Sequence, residues 1–257
     1  GIQSTRQAHL DFLGRTHDPR QAGEAYHAAR AAGFKNVSVD LIFGTPGQAV
    51  DDWRRELEEW AKRGADHISI YGLTVEPGTA LERDIKKGAV VPGDEAQRDL
   101  YVAAMELLPV LGYRQYELSN FARPGFESRH NLGYWEGRPY LGFGPGAHSF
   151  VSPKRWANMA NVVEFIERVE RGESIVGSEE TLTVDQQMLE AVFLGLRRAE
   201  GIFVPGFDER FGVSFDGKHG ALVGELAGDG LVERRGGFLA LTMKGKLLAD
   251  AVIGRFA

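Results

Sequence analysis

The chain has 257 residues, 43% of them hydrophobic, a formal net charge of -6 and no cysteine. That length and composition admit one large domain, or a medium and a small one, and exclude intrinsic disorder. The acidic balance gives no expectation of nucleic-acid binding, the missing thiols exclude a disulfide or thiolate metal site within these residues, and no apolar run approaches the roughly 20 residues of a bilayer span, which leaves peripheral membrane contact open.

Gly1-Ile2-Gln3-Ser4 reads as the last residues of a strand running into a loop. On that reading the chain is the later part of a longer protein, with processing as the alternative. Asp18-Pro19 is an N-cap followed by proline at the first helical position, and alanines at helical spacing follow from Ala22 to Ala32. Asn36 to Phe43 reads as a buried strand ending in the tight loop Gly44 to Gln48. Asp51 to Lys62 is an amphipathic helix with Trp53, Leu57 and Trp60 on one face, His67 to Leu73 a second strand, and Asp94 to Leu111 another helix. The alternation predicts parallel βαβ units, in an open sheet or a barrel, with chemistry at the C-terminal strand ends. Gln3, Asp40 and Gly72 fall there, and Arg15 lies in the loop after Gln3. A polar residue at a strand end needs a partner, and a ligand would supply one.

Tyr113 to Leu118 alternates like a strand, and Tyr140 to His148 is rich in glycine and proline, which suits close approach to a ligand or a chain reversal. Asn161 to Arg171 reads as a helix and Gly172 to Glu180 as a linker. Beyond it come an amphipathic helix over Asp185 to Arg198, a short helix packed through Phe207, Phe211 and Phe215, a hairpin with a Gly236-Gly237 turn, and a last helix from Lys246 to Phe256. This predicts a small winged-helix-like module over 178–257 behind an α/β part over 1–177. Such modules often bind DNA, but Arg234-Arg235 alone is thin support for that, and the acidic chain favours a structural or docking role.

His130-Asn131-Leu132-Gly133-Tyr134-Trp135 sets an imidazole, a carboxamide, a phenol and an indole within six residues. A histidine beside large aromatics suits a flat, iron-bearing ligand, with the ring nitrogen on the metal and the aromatics on the macrocycle. A loop anchored by Tyr134 and Trp135, with His130 bonded to backbone, is the plainer reading.

Taken in order, Gln3, Arg15, Asp40 to Gln48, Glu76 to Thr79, Tyr116 to Ala122 and His130 to Trp135 resemble the radical S-adenosylmethionine (SAM) proteins related to oxygen-independent coproporphyrinogen III oxidase. The His-Asn-x-x-Tyr-Trp element favours the branch of HemW-type haem chaperones. The resemblance runs over essentially the whole chain. It implies the second part of a partial (β/α)6 barrel whose first strand, with a Cys-x3-Cys-x2-Cys loop for a 4Fe-4S cluster, is not among these residues. It implies SAM contacts at Gln3, Arg15, Asp40 and Gly72, and haem contacts at His130, Asn131, Tyr134 and Trp135, with His130 on the haem iron. Carboxamide, carboxylate and guanidinium groups suit the hydroxyl, amino and carboxylate groups of SAM. His148 is a second histidine candidate. One departure is Ser128, where members often carry cysteine.

The implied function is haem binding and transfer, in the cytoplasm, to haem-accepting proteins, respiratory ones included. The alternatives are an oxygen-independent coproporphyrinogen III oxidase and a ligand-free α/β domain. Without cysteine this chain alone is expected to perform no radical chemistry.

Overall fold

The computed structural model describes residues 1–257 in two compact units, Gly1–Ser128 and Arg129–Ala257. In the first unit α1 spans Gln7–Phe12, α2 Pro19–Ala31, β1 Ser38–Phe43, α3 Val50–Lys62, β2 His67–Gly72, α4 Ala80–Lys86, α5 Asp94–Val110, β3 Arg114–Gln115 and β4 Asn120–Ala122. The Asp18-Pro19 signal works as expected. The Asp18 carboxylate accepts the Gln21 N–H at 2.7 Å, Gln21 Oε1 accepts the Asp18 N–H at 2.9 Å, and Pro19 opens α2.

β1 and β2 pair in parallel, joined through α3 as a βαβ unit. Val39, Leu41 and Phe43 of β1 meet Trp53, Leu57 and Trp60 of α3 and Leu100, Ala104 and Leu108 of α5 in one core. Two buried polar atoms at its margin are matched, Trp53 Nε1 donating to the Leu100 carbonyl at 3.0 Å and the Tyr113 hydroxyl to the Ala65 carbonyl at 2.6 Å, while the buried Trp60 Nε1 has no partner. Burying Phe43, Trp53 and Trp60 with several leucines under one sheet face stabilises the unit by roughly 1.5–3 kcal/mol for each large side chain.

The all-parallel expectation needs correction. The sheet order is β1-β2-β4-β3, and β4 runs antiparallel to both β2 and β3. The stretch expected as one strand, Tyr113 to Leu118, pairs only at Arg114 and Gln115. The chain then reverses, because Glu117 turns its side chain inward, where Oε1 takes the Ser119 N–H at 3.1 Å and the Asn120 amide. A reversal of four residues allows only antiparallel pairing.

In the second unit α6 spans Arg129–Trp135, β5 His148–Val151, β6 Lys154–Asn158, α7 Val162–Arg171, β7 Val176–Thr181, α8 Val184–Arg197, β8 Ile202–Phe203, α9 Val204–Phe211, α10 Phe215–Gly228, β9 Val232–Arg235, β10 Phe238–Leu241, α11 Met243–Leu247 and α12 Ala249–Gly254. The expected linker over Gly172 to Glu180 is instead largely β7, the edge of a β5-β6-β7 sheet. Its polar sequence suits an edge strand with one face in water. The break expected at 177/178 therefore falls inside a paired strand, and the compact units divide at Ser128/Arg129.

The hairpin turns as its sequence requires, with Gly236 at φ 54° and Gly237 at φ 86°. It forms a β8-β10-β9 sheet. Phe207 stacks against Phe211 and Phe215 with ring centroids at 4.7 and 5.1 Å. The last helix, expected as one piece from Lys246, is two: Thr242 caps α11 by accepting the Gly245 N–H at 3.0 Å, and Leu248 leaves helical geometry before α12. No helix is long and apolar enough to cross a membrane.

Candidate functional site

The sheet of the first unit carries one group of candidate residues; of those expected at C-terminal strand ends, Gly72 closes β2, but Asp40 lies in the middle of β1, two residues after its start at Ser38. Gln3 forms a parallel bridge with Leu41: its N–H donates to the Asp40 carbonyl at 2.8 Å and its carbonyl accepts from Ile42 N–H at 2.8 Å. Gln3 and Asp40 thus lie on adjacent chains of one sheet, as the sequence reading requires. Gln3 is the one non-glycine residue with positive φ, at 67°. That left-handed conformation costs a side-chain-bearing residue roughly 1 kcal/mol or more. Asp40 is half-exposed and stands opposite Ser69. Gly72 ends β2 opposite Phe43, and a Cβ there would lie 3.2 Å from both the Gln97 and Phe43 side chains, so packing alone favours glycine. Arg15 is exposed on the loop after α1, with its N–H donating to the Leu10 carbonyl at 2.9 Å. No ion pair joins its guanidinium to Asp40.

Two features of this unit escaped the sequence reading. In the loop after β1, Gln48 Oε1 accepts the Gly44 N–H at 2.8 Å, while Thr45 Oγ1 and Gln48 Nε2 are buried without partners. Orphaned polar atoms at a strand's C-terminal end mark the ligand side of such a sheet. The second is Glu56, buried on α3. Its carboxylate accepts the Thr5 N–H and, at 3.5 Å, the Ser4 hydroxyl, which also meets His9 Nδ1 at 3.2 Å. This network fixes the turn that follows Gln3. Burial pushes the Glu56 carboxyl up to about 7, against the pull of its hydrogen bonds. Burial, with the nearby Arg6 charge, lowers His9. The signal in sequence was a glutamate at position 56, beside Leu57 on the apolar face, where the pattern asks for an apolar residue.

No group of three or more histidine, aspartate or glutamate side chains is placed to hold a metal ion. With no cysteine either, these residues offer no ligand set for an iron–sulfur cluster.

The second unit carries the other group. His130 and Tyr134 sit one turn apart on α6 with ring centroids 4.8 Å apart. Tyr134 meets Tyr140 edge-on at 4.7 Å, and Tyr140 meets Phe150 at 6.2 Å. The four rings make a ladder, with His130 exposed at its end and Tyr134 39% exposed. Helical spacing makes the first contact; the returning chain before β5 makes the second. Asn131 is half-buried on the same helix. Tyr134 and Trp135 also form part of the wall of a cleft of about 440 Å³, completed by Tyr140, Phe150, Phe193 and Phe207. His130 and Asn131 are not in that wall. His148 lies on β5 opposite Ala157, and its carbonyl would fall 2.2 Å from a Cβ on Gly142. That glycine is therefore required by backbone approach.

An aromatic cleft beside an exposed imidazole can hold a flat ligand and offer its metal a nitrogen. Residues 182–248 match the family model of the HemN C-terminal domain. The heme chaperone HemW of Bacillus subtilis (strain 168) is 36% identical over 258 residues, covering 100% of this chain and 68% of that protein. HemW of Mycobacterium tuberculosis (strain ATCC 25618 / H37Rv) is 38% identical over 254 residues, 98% of this chain and 63% of that protein. The fold is that of coproporphyrinogen III oxidase (HemN) from Escherichia coli, a radical SAM enzyme: TM-score 0.78, 21% identity, 99% of this chain and 62% of that one. The chain thus spans roughly two thirds of the length of these relatives. The 36% identity over its full length places this chain in the HemW family.

Proposed function

We propose that this chain is the haem-holding part of a HemW-type haem chaperone, which binds haem as cargo and passes it, in the cytoplasm, to haem-accepting proteins, respiratory ones included. The observation that carries the reading is the ring ladder from His130 through Tyr134 to Tyr140, opening on an aromatic cleft. His130 offers its imidazole to the haem iron, Tyr134 and Trp135 pack against the macrocycle, and Asn131 contacts the haem beside them. Gln3, Arg15, Asp40 and Gly72 are proposed to contact SAM. Gln3 and Asp40 are adjacent in the sheet, which supports their sharing a ligand. SAM and a 4Fe-4S cluster would supply radical chemistry when bound. The residues here do not include ligands for that cluster, and no step is assigned to it.

Haem titration of the full-length protein, followed by transfer to an apo-acceptor, tests the reading. The expected result is a saturable Soret band and transfer to the acceptor, with no coproporphyrinogen turnover under anaerobic, reducing conditions. Coproporphyrinogen turnover without haem binding would replace it with the oxidase reading.

A further inference from the structure

The aromatic cleft of the second unit is ringed by charge. Arg155 is held by Glu180 and Glu190, Arg198 by Glu200 at 2.9 Å, and Arg138 by Glu136. Those guanidiniums are already neutralised. Arg210, on the last turn of α9, pairs with no carboxylate. Its guanidinium lies over the Phe211 ring at 4.8 Å, and both residues line the cleft. An exposed cation on an aromatic platform at the mouth of an aromatic cleft fits a flat ligand with a carboxylate at its edge.

The cleft is also continuous with the His130 ladder, because Tyr134 belongs to both. About 440 Å³ lies within the range of sites that enclose a small molecule. A ligand seated here would have its apolar body against Phe193 and Phe207 and one edge at Tyr134, beside His130.

We infer that this cleft seats the macrocycle of a tetrapyrrole and that Arg210 takes one of its propionates. The inference rests on the haem reading above and adds to it a pocket and a carboxylate contact. It also accounts for the free charge: three of the four cleft arginines are tied to glutamates, and the fourth is kept for an incoming anion.

The test compares haem with its dimethyl ester, whose propionates carry no charge, on the full-length protein. Wild type should bind haem roughly tenfold more tightly than the ester, the scale of one charge-assisted contact. Arg210→Glu should remove that preference by weakening haem about tenfold while leaving the ester within about twofold. Arg210→Lys should retain most of the preference. Arg114→Glu, an exposed charge reversal in the first unit, should alter neither ligand. Helical circular dichroism matched to wild type establishes that the variants are folded. If Arg210→Glu binds both ligands as wild type does, or loses both equally, the cleft assignment is overturned and the haem reading stands. If wild type binds neither ligand, both fall together.

Discussion

His130 and Tyr134 stand edge to face, one helical turn apart, with ring centroids 4.8 Å apart and planes at 84°. The exposed imidazole is thus tied in position to a ring that also lines the cleft. His130→Ala should therefore weaken haem binding to the full-length protein at least tenfold and shift the Soret band. His148→Ala, at a residue that is not itself in the cleft wall although its strand carries Phe150, should change either by less than about twofold. If His130→Ala lowers stability but binds haem unaltered at matched folded fraction, the imidazole is only a helix anchor.

The parts of this molecule written in local spacing were legible from sequence. The Asp18 cap, the Trp53-Leu57-Trp60 stripe and the Gly236-Gly237 turn each follow from residues a few positions apart, and each forms as read. What was not legible depends on distant partners. β7 is polar and reads as linker, but β6 supplies its hydrogen bonds. Tyr113 to Leu118 alternates like a strand, yet the inward turn of Glu117 ends it. In the candidate site, His130 and Tyr134 were singled out as near neighbours in sequence, but the stretch read as a loop, and the helix α6 that sets them one turn apart was not foreseen. Tyr140, Phe193 and Arg210 arrive from separate elements, and no sequence period links them.

Glu56 should impose a pH dependence on folding. Its carboxyl is raised to about 7 in the native state, against 4.5 for an ordinary glutamate. Between those values the folded chain holds a proton that the unfolded chain has lost. The contribution is thus present below about pH 4.5 and is lost as pH rises through about 7. A shift of that size corresponds to about 3 kcal/mol. His9, lowered by burial, acts in the opposite sense: its contribution is present above 6.5 and is lost as pH falls. Urea midpoints of wild type and Glu56→Gln at pH 5 and pH 8 measure the difference. The variant should gain on wild type at the higher pH. Parallel behaviour at both values would mean that Glu56 ionises freely.

Two glycines should respond to alanine in opposite directions. Gly201, at φ 87°, lies where a Cβ would stand 2.0 Å from the Leu239 carbonyl oxygen. Gly201→Ala must displace β10 or α8 and should cost about 2 kcal/mol or more. Gly224 lies inside α10 with nothing within 4 Å of its Cβ position. Gly224→Ala should stabilise by about 0.5 to 1 kcal/mol through helix propensity alone. Thermal midpoints of the two variants check both signs, and a neutral Gly201→Ala would contradict the close approach.

Gln3 combines strain with a proposed contact, and the two separate on mutation. At φ 67° a glutamine is disfavoured where glycine is not. The backbone bonds to Asp40 and Ile42 survive any side-chain change, because they use only the N–H and carbonyl of residue 3. Gln3→Gly should therefore hold or raise stability by about 1 kcal/mol. A side chain retained in a strained conformation fits a functional demand. If that demand is SAM, the same variant of the full-length, cluster-loaded protein should bind SAM roughly tenfold more weakly, the scale of one or two lost hydrogen bonds. Asp40→Asn should weaken SAM similarly without gaining stability, since Asp40 has no strain to release. Isothermal titration with SAM and denaturant melts of the two variants give both readouts. A Gln3→Gly protein that is more stable and binds SAM as wild type does would mean that the carboxamide makes no contact with SAM.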